Sequence, residues 1–332
     1  MKEDLLKYLV CPDCRTPLAL SSVLKTEGEE IMEGSLGCPR CSVSFPVRGG
    51  VPRILAGNEY RLKEETKNRF AFSWKKFSDI YEDPKDFLDW IHPKTRDFFK
   101  DRVVLDAGCG SGQHAVFASE FGAREVVAFD LSPAVDVAFR HSRTKDNVHV
   151  VQADMYRLPF KSDYDFLYCI GVLQHLPDTK EGFRRLRSLL KPGGWMSVWV
   201  YGYEGAWFIR RIVDPARKFV MSRLPLPAIL SLSFLLTAIL YFLAKVVYGP
   251  LSRFRPAKHL SRRLPLGDYL SYMSAFNFTY LFNCVFDQLI APITQYFKEE
   301  EVRGWFENAG LKDIGLTRRN NISWRATGRN PG

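Results

Sequence analysis

The chain has 332 residues, 46% hydrophobic and 25% charged, so it carries enough apolar sequence for a full folded core and is not a disordered tail or an isolated small module. Its formal net charge is +10. The stretch from Glu204 to Arg263 holds eleven Lys/Arg against two acids, so the basicity is a local footprint and not a generally adhesive surface.

No secretory signal precedes the first cysteines, which leads to the expectation of a cytoplasmic location where thiols stay reduced. Residues 1–56 carry Cys11-x-x-Cys14 and Cys38-x-x-Cys41, with 23 residues between the pairs. Thiolates at i and i+3 of a tight turn can share one tetrahedral ion, and a second such turn closes the site. Four protein ligands leave no open position, so the spacing predicts structural Zn2+ on Cys11, Cys14, Cys38 and Cys41. The flanking runs Leu5-Leu6-Lys7-Tyr8-Leu9-Val10 and Phe45-Pro46-Val47-Arg48-Gly49-Gly50-Val51-Pro52-Arg53-Ile54-Leu55 resemble the zinc-ribbon activator subunit of tRNA, rRNA and release-factor methyltransferases. That resemblance implies a module that elsewhere partners a separate enzyme and is here fused to the rest of the chain.

Residues 57–101 form a charged linker with aromatics at Phe70, Phe72, Trp74, Phe77, Tyr81, Phe87 and Trp90. The spacing predicts amphipathic helices packed on the next domain, with a second reading in which Phe70 to Trp74 form a lid.

From residue 102 short apolar runs alternate with helical stretches, the pattern of a doubly wound parallel sheet. Strands are predicted at Val103–Asp106, Val126–Asp130, Val148–Asp154, Phe166–Ile170 and Trp195–Tyr201. Two more, Leu311–Leu316 and Ile322–Gly328, follow a helix at Glu299–Ala309 stopped by Gly310. The expected fold class is thus α/β: a seven-stranded Rossmann-like sheet with a small N-terminal zinc ribbon and a helical insertion. The domain reading is 1–56, 57–101, 102–202, 203–297 and 298–332.

The first strand runs into Gly108-x-Gly110-x-Gly112, a glycine turn that opens a helix but lacks the G-x-G-x-x-G spacing of nicotinamide sites. Acids end three successive strands: Asp106, then Asp130, eighteen residues after Gly112, then Asp154. The carboxyl edge of an open α/β sheet is where such folds bind ligands, and a carboxylate at the second strand end can accept hydrogen bonds from ribose hydroxyls. With Ile170-Gly171-Val172-Leu173-Gln174-His175-Leu176-Pro177 and Leu189-Leu190-Lys191-Pro192-Gly193-Gly194, the stretch from Val103 to Tyr201 resembles the class I S-adenosylmethionine-dependent methyltransferases. The resemblance implies S-adenosyl-L-methionine as cofactor. By it, Asp106 orients the methionine end, Gly108 and Gly110 contact the cofactor, Asp130 holds the ribose, Asp154 and Met155 flank the adenine, and Leu131 and Ile170 complete the wall.

Methyl transfer from a sulfonium is a displacement with a good leaving group, so alignment supplies much of the acceleration. His175 is the candidate general base, chosen because an ordinary histidine titrates near neutrality; it could equally shape the pocket or bind a backbone carbonyl. No Asn/Asp-Pro-Pro-Tyr/Phe motif follows the fourth strand, which counts against adenine-N6, cytosine-N4 and glutamine-N5 acceptors.

Residues 203–297 are an insertion. Its centre, Ala228 to Ala244, is seventeen residues without a charge, between basic flanks Arg210, Arg211, Arg217, Lys218, Arg223 and Arg253, Arg255, Lys258, Arg262, Arg263. Two basic flanks oppose a single crossing, so the segment reads as dipping into or lying on a membrane face, or as buried within a helical cap or an oligomer contact. The aromatic run Tyr269 to Phe297 reads as a cap over the active site. These features lead to the expectation of an apolar or lipid-linked acceptor at the inner membrane face; the alternative is an RNA or translation-factor substrate docked by the zinc ribbon.

Overall fold

A computed structural model describes residues 1–55, 61–78, 80, 83–253, 264 and 266–332, side chains 61–67 aside. Tyr81, Arg255, Lys258, Arg262 and Arg263, singled out in the sequence, lie outside the described residues.

The N-terminal third begins as an antiparallel meander: β1 (Ala19–Glu27), β2 (Glu30–Gly37), β3 (Ser44–Arg48) and β4 (Val51–Ile54). Two helices follow, α1 (Arg61–Lys76) and α2 (Pro84–Trp90); the Asp83 carboxylate caps α2 by accepting from Lys85 N, with Pro84 at its first position. The α/β core is β5 (Val103–Ala107), α3 (Gln113–Glu120), β6 (Glu125–Asp130), α4 (Val135–Ser142), β7 (Val148–Ala153), β8 (Tyr164–Ile170), α5 (Thr179–Arg187) and β9 (Leu190–Tyr201). β5 and β7 are buried at every position, as strands covered on both faces must be. The insertion holds α6 (Asp214–Phe219), α7 (Leu226–Leu243), α8 (Gly249–Arg253), α9 (Gly267–Met273) and α10 (Phe278–Ile290). Then α11 (Glu299–Asn308) leads to the hairpin β10 (Lys312–Arg319) and β11 (Ser323–Arg329). Gly310, at φ +71°, takes the left-handed turn that ends α11.

All these strands form one sheet in the order β1-β2-β3-β4-β7-β6-β5-β8-β9-β11-β10. The seven strands from β7 to β10 are those expected, with β10–β11 antiparallel at the edge. The expected count of seven is corrected to eleven, because the ribbon adds its own strands. β4 pairs parallel with β7, Arg53 opposite Gln152 and Ile54 opposite Ala153. A buried edge β7 leaves unpaired backbone groups, and β4 satisfies them. The insertion leaves and rejoins the core at one place, where Tyr203 N donates to Phe297 O (2.8 Å) and Phe297 N to Tyr201 O (3.0 Å).

Candidate functional site

The chain order reverses across the sheet between β5 and β8, and a cleft opens at the carboxyl ends of the strands there. Among its lining residues are Gly108 and Gly110 after β5, Asp130 and Leu131 after β6, Asp154 and Met155 after β7, and Ile170 and His175 at and after β8. Eight of the nine residues assigned to cofactor or catalysis from the sequence thus meet in one cleft. Asp106 does not reach its wall: it is 2% exposed, beneath the glycine turn and beside the Tyr168 hydroxyl. The sequence reading passed over Phe129, Ser132, Ala153, Gly171, Val172, Leu176 and Pro177, which also line it. Val172, Leu176 and Pro177 belong to the motif that flagged His175, so a signal for them was present.

The glycine turn is built by more than the need to admit a ligand. Gly108 and Gly110 have φ +79° and +50°. A Cβ on Gly108 would lie 2.3 Å from Val172 Cγ2, and one on Gly110 2.6 Å from the Trp74 ring. Trp74 and Phe70, both from α1, line the cleft, in keeping with the lid reading of this segment. Asp130 fixes the turn from the next strand: its Oδ2 accepts from Gly110 N (3.1 Å) and its Oδ1 from Ser132 N (2.8 Å). Burial raises this carboxyl above its ordinary value, and those backbone donors oppose the rise. Asp154 Oδ1 accepts from Tyr156 N (2.9 Å), which orients it at the end of β7.

This cleft fits S-adenosyl-L-methionine. Carboxylates stand at the ends of β6 and β7 to accept from ribose hydroxyls and an amino group, apolar Phe129, Leu131, Met155 and Leu176 can flank a purine, and a cradle of left-handed glycines runs between them.

His175 departs from the property for which it was chosen. Its Nδ1 lies 2.7 Å from Ile293 O; a carbonyl only accepts, so Nδ1 carries the hydrogen and Nε2 is the acceptor nitrogen. Phe70 packs at 5.2 Å between ring centres and Tyr201 edge-on at 5.7 Å. Burial pushes the imidazole down to about 4, so the expectation of titration near neutrality is corrected: this histidine is neutral across physiological pH. The aromatic run 269–297 does not itself line the cleft. Its α10 reaches the site through α1, where buried Ser73 donates to Asp287 Oδ1 (2.5 Å), and through the Ile293 carbonyl on His175.

The four ribbon cysteines come together as predicted, with all sulfurs within 4.8 Å of one another and Cys14 Sγ 3.4 Å from Cys38 Sγ. The set fits a tetrahedral structural Zn2+.

Comparison with known proteins agrees with both domains. Residues 104–194 match the family described as methyltransferase domain, and residues 2–50 match the Trm112p-like protein family. The chain is 27% identical over 150 residues to a tRNA U34 carboxymethyltransferase of Nautilia profundicola, covering 42% of this chain and 50% of the relative. It is 31% identical over 145 residues to the protein of the same name from Shewanella baltica, covering 40% and 44%. It is also 30% identical over 119 residues to a ubiquinone biosynthesis O-methyltransferase of Hydrogenovibrio crunogenus, covering 33% and 49%. The chain spans half or less of the length of these relatives. The chain therefore carries an S-adenosylmethionine-dependent methyltransferase domain of class I fold and a Trm112p-like zinc ribbon. The expectation of a lipid-like or lipid-linked acceptor is corrected: relatives named for tRNA recur, and the fused module is of the Trm112p type. The apolar helix of the insertion contributes none of the cleft-lining residues.

Proposed function

We propose that this chain transfers a methyl group from S-adenosylmethionine to a nucleoside of tRNA, with the zinc ribbon as a built-in part of the substrate-docking surface. The observation that carries the reading is the junction of β4 with β7, which sets a Trm112p-like module rigidly beside the strand end that bears Asp154. The tRNA-directed names of the relatives support the same substrate class. A tRNA acceptor also suits a cytoplasmic site of action.

When bound, S-adenosylmethionine supplies an electrophilic methyl group on a sulfonium. In this reading Asp130 holds the ribose, Asp154 and Met155 hold the base, and the glycine turn holds the methionine end. Phe70 and Trp74 close the cleft against water and offer flat faces on which an unstacked nucleobase can rest. Neutral His175 orients the acceptor by accepting a hydrogen bond at Nε2. Its lowered basicity suits positioning better than early proton removal.

The test is incubation of the purified chain with labelled S-adenosylmethionine and tRNA from cells lacking it, followed by nucleoside digestion and mass spectrometry. A nucleoside heavier by one methyl group is expected. Label found only in protein, or none in tRNA while the cofactor still binds, would overturn the substrate assignment.

A further inference from the structure

Helix α7 is apolar on its outer face as well as on its inner one. Its fully buried residues are Ile229, Ser233 and Thr237, and half-buried Leu230, Leu232, Leu240 and Leu243 pack inward beside them. Each hydroxyl is satisfied within the helix, Ser233 Oγ on Ile229 O (2.7 Å) and Thr237 Oγ1 on Ser233 O (2.6 Å). Ser231 apart, the outward positions are apolar: Leu235, Ile239 and Phe242 are 62%, 60% and 61% exposed, and Phe234 and Val246 are exposed beside them. Leu235, Ile239, Phe242 and Val246 are spaced i, i+4, i+7, i+11, which lines them along one stripe of the continuous helix. A helix in water puts polar residues outward; this one presents a mostly apolar exterior.

The arm that leads into α7 continues the pattern. Trp207, Ile212, Phe219 and Val220 are exposed large apolar residues, and exposed Arg211, Lys218 and Arg223 are interleaved with them. Exposed Arg253 follows beyond the apolar stretch. An apolar stripe bounded by cations at both ends suits the boundary between acyl chains and anionic headgroups. It does not suit a second copy of the same surface, whose cations would face these across the contact.

We infer that the α7 face, with the arm 207–223, docks on an anionic lipid surface, the helix lying in the plane of the interface. Length alone would permit a crossing, because Leu226–Arg253 is a 28-residue, largely apolar helix. Packing argues otherwise. One side of α7 is held along α10 by Phe234 against Phe278 (5.3 Å) and Phe282 (5.8 Å) and by Tyr241 against Phe278 (5.5 Å). α10 in turn holds the end of α1, with Phe77, the residue after it, edge-on to Phe282 at 5.2 Å. A spanning α7 would have to leave these partners, whereas a helix lying flat keeps them and buries only its outer stripe. The inference concerns where the enzyme sits and goes beyond its reaction, so either can fail without the other.

The experiment is co-sedimentation of the full chain with phosphatidylcholine vesicles and with vesicles containing phosphatidylglycerol, read beside sedimentation velocity and S-adenosylmethionine calorimetry. Binding to the anionic vesicles, weakened by salt, is expected. The triple variant Leu235→Glu/Ile239→Glu/Phe242→Glu should lower that binding on the order of 100-fold, since three large side chains no longer leave water. Because the three side chains already face solvent, its cofactor affinity should match the parent's. No binding to either vesicle, unchanged binding by the triple variant, or a stable dimer that the triple variant abolishes would each overturn the inference.

Discussion

At the scale of single residues, two side chains of the cleft make separable predictions. Gly110 combines φ +50° with a neighbour, the Trp74 ring, that a Cβ would meet at 2.6 Å. Gly110→Ala therefore strains the turn by about 1–2 kcal/mol and displaces the lid tryptophan. Titration calorimetry should show S-adenosylmethionine affinity reduced by about tenfold or more, a conversion of that strain at 1.4 kcal/mol per decade. Undiminished affinity would mean that Trp74 does not set the turn. His175 makes a prediction about pH. Its folded value of about 4 lies below the ordinary histidine value, so as pH falls the unfolded chain takes up the proton first. Stability from the neutral imidazole is complete above pH 6.5 and is lost as pH falls toward 4. The melting temperature of the parent should drop further than that of His175→Gln over this window, and parallel curves would refute the buried neutral state. Asp130 and Asp154 were legible in the sequence because an acid at a strand end is a local pattern. The partner that fixes His175 was not: Ile293 lies 118 residues away, across the whole insertion.

At the scale of elements, the placement of α1 decides how the cleft closes. α1 brings Phe70 and Trp74 to the ligand, and the bond from Ser73 to Asp287 of α10 ties it down. Ser73 is buried, so losing its acceptor leaves a hydroxyl to be satisfied elsewhere. Asp287→Ala should loosen the lid, raising the cofactor dissociation rate several-fold with the far-ultraviolet circular dichroism unchanged; stopped-flow fluorescence of Trp74 would report it. An unaltered rate would show that α1 is held by its other contacts, the Ser73–Asn283 bond and the aromatic packing. The hairpin β10–β11 is tied to α2 in a similar way, with Arg325 Nη1 on Asp89 Oδ1 (2.6 Å) and Arg319 also bonded to Asp89. Such ties were not legible, because they join charged residues hundreds of positions apart with no periodic signal. The elements themselves were. The seven core strands follow from apolar runs bounded by turns, and their observed ends differ from the expected ones mostly where β8, β9 and β10 extend past the apolar run into polar residues.

At the scale of the whole molecule, the ribbon and the methyltransferase core share one hydrophobic cluster. Leu5, Leu9, Leu36, Phe45 and Ile54 of the ribbon pack in the same cluster as Val127, Phe129, Phe160 and Tyr164 of the core. Backbone bonds cross the junction as well, Val10 N to Pro159 O at 2.8 Å and Lys161 N to Tyr8 O at 2.9 Å. The cysteine spacing showed that a ribbon was present; it could not show this union, because pairing of β4 with β7 rests on a short parallel register that leaves no mark on either strand. Cys11 and Cys38 are themselves buried members of the shared cluster. Zinc bound to the folded ribbon therefore stabilises more than the ribbon. Its removal leaves four thiols crowded within 4.8 Å, and it releases the packing that covers the β7 edge of the core. Cys38→Ser, or chelation of the metal, should lower the melting temperature of the entire chain in a single transition by differential scanning calorimetry. A separate low-temperature ribbon transition followed by core melting at the parental temperature would instead mean that the continuous sheet joins two units that fold independently.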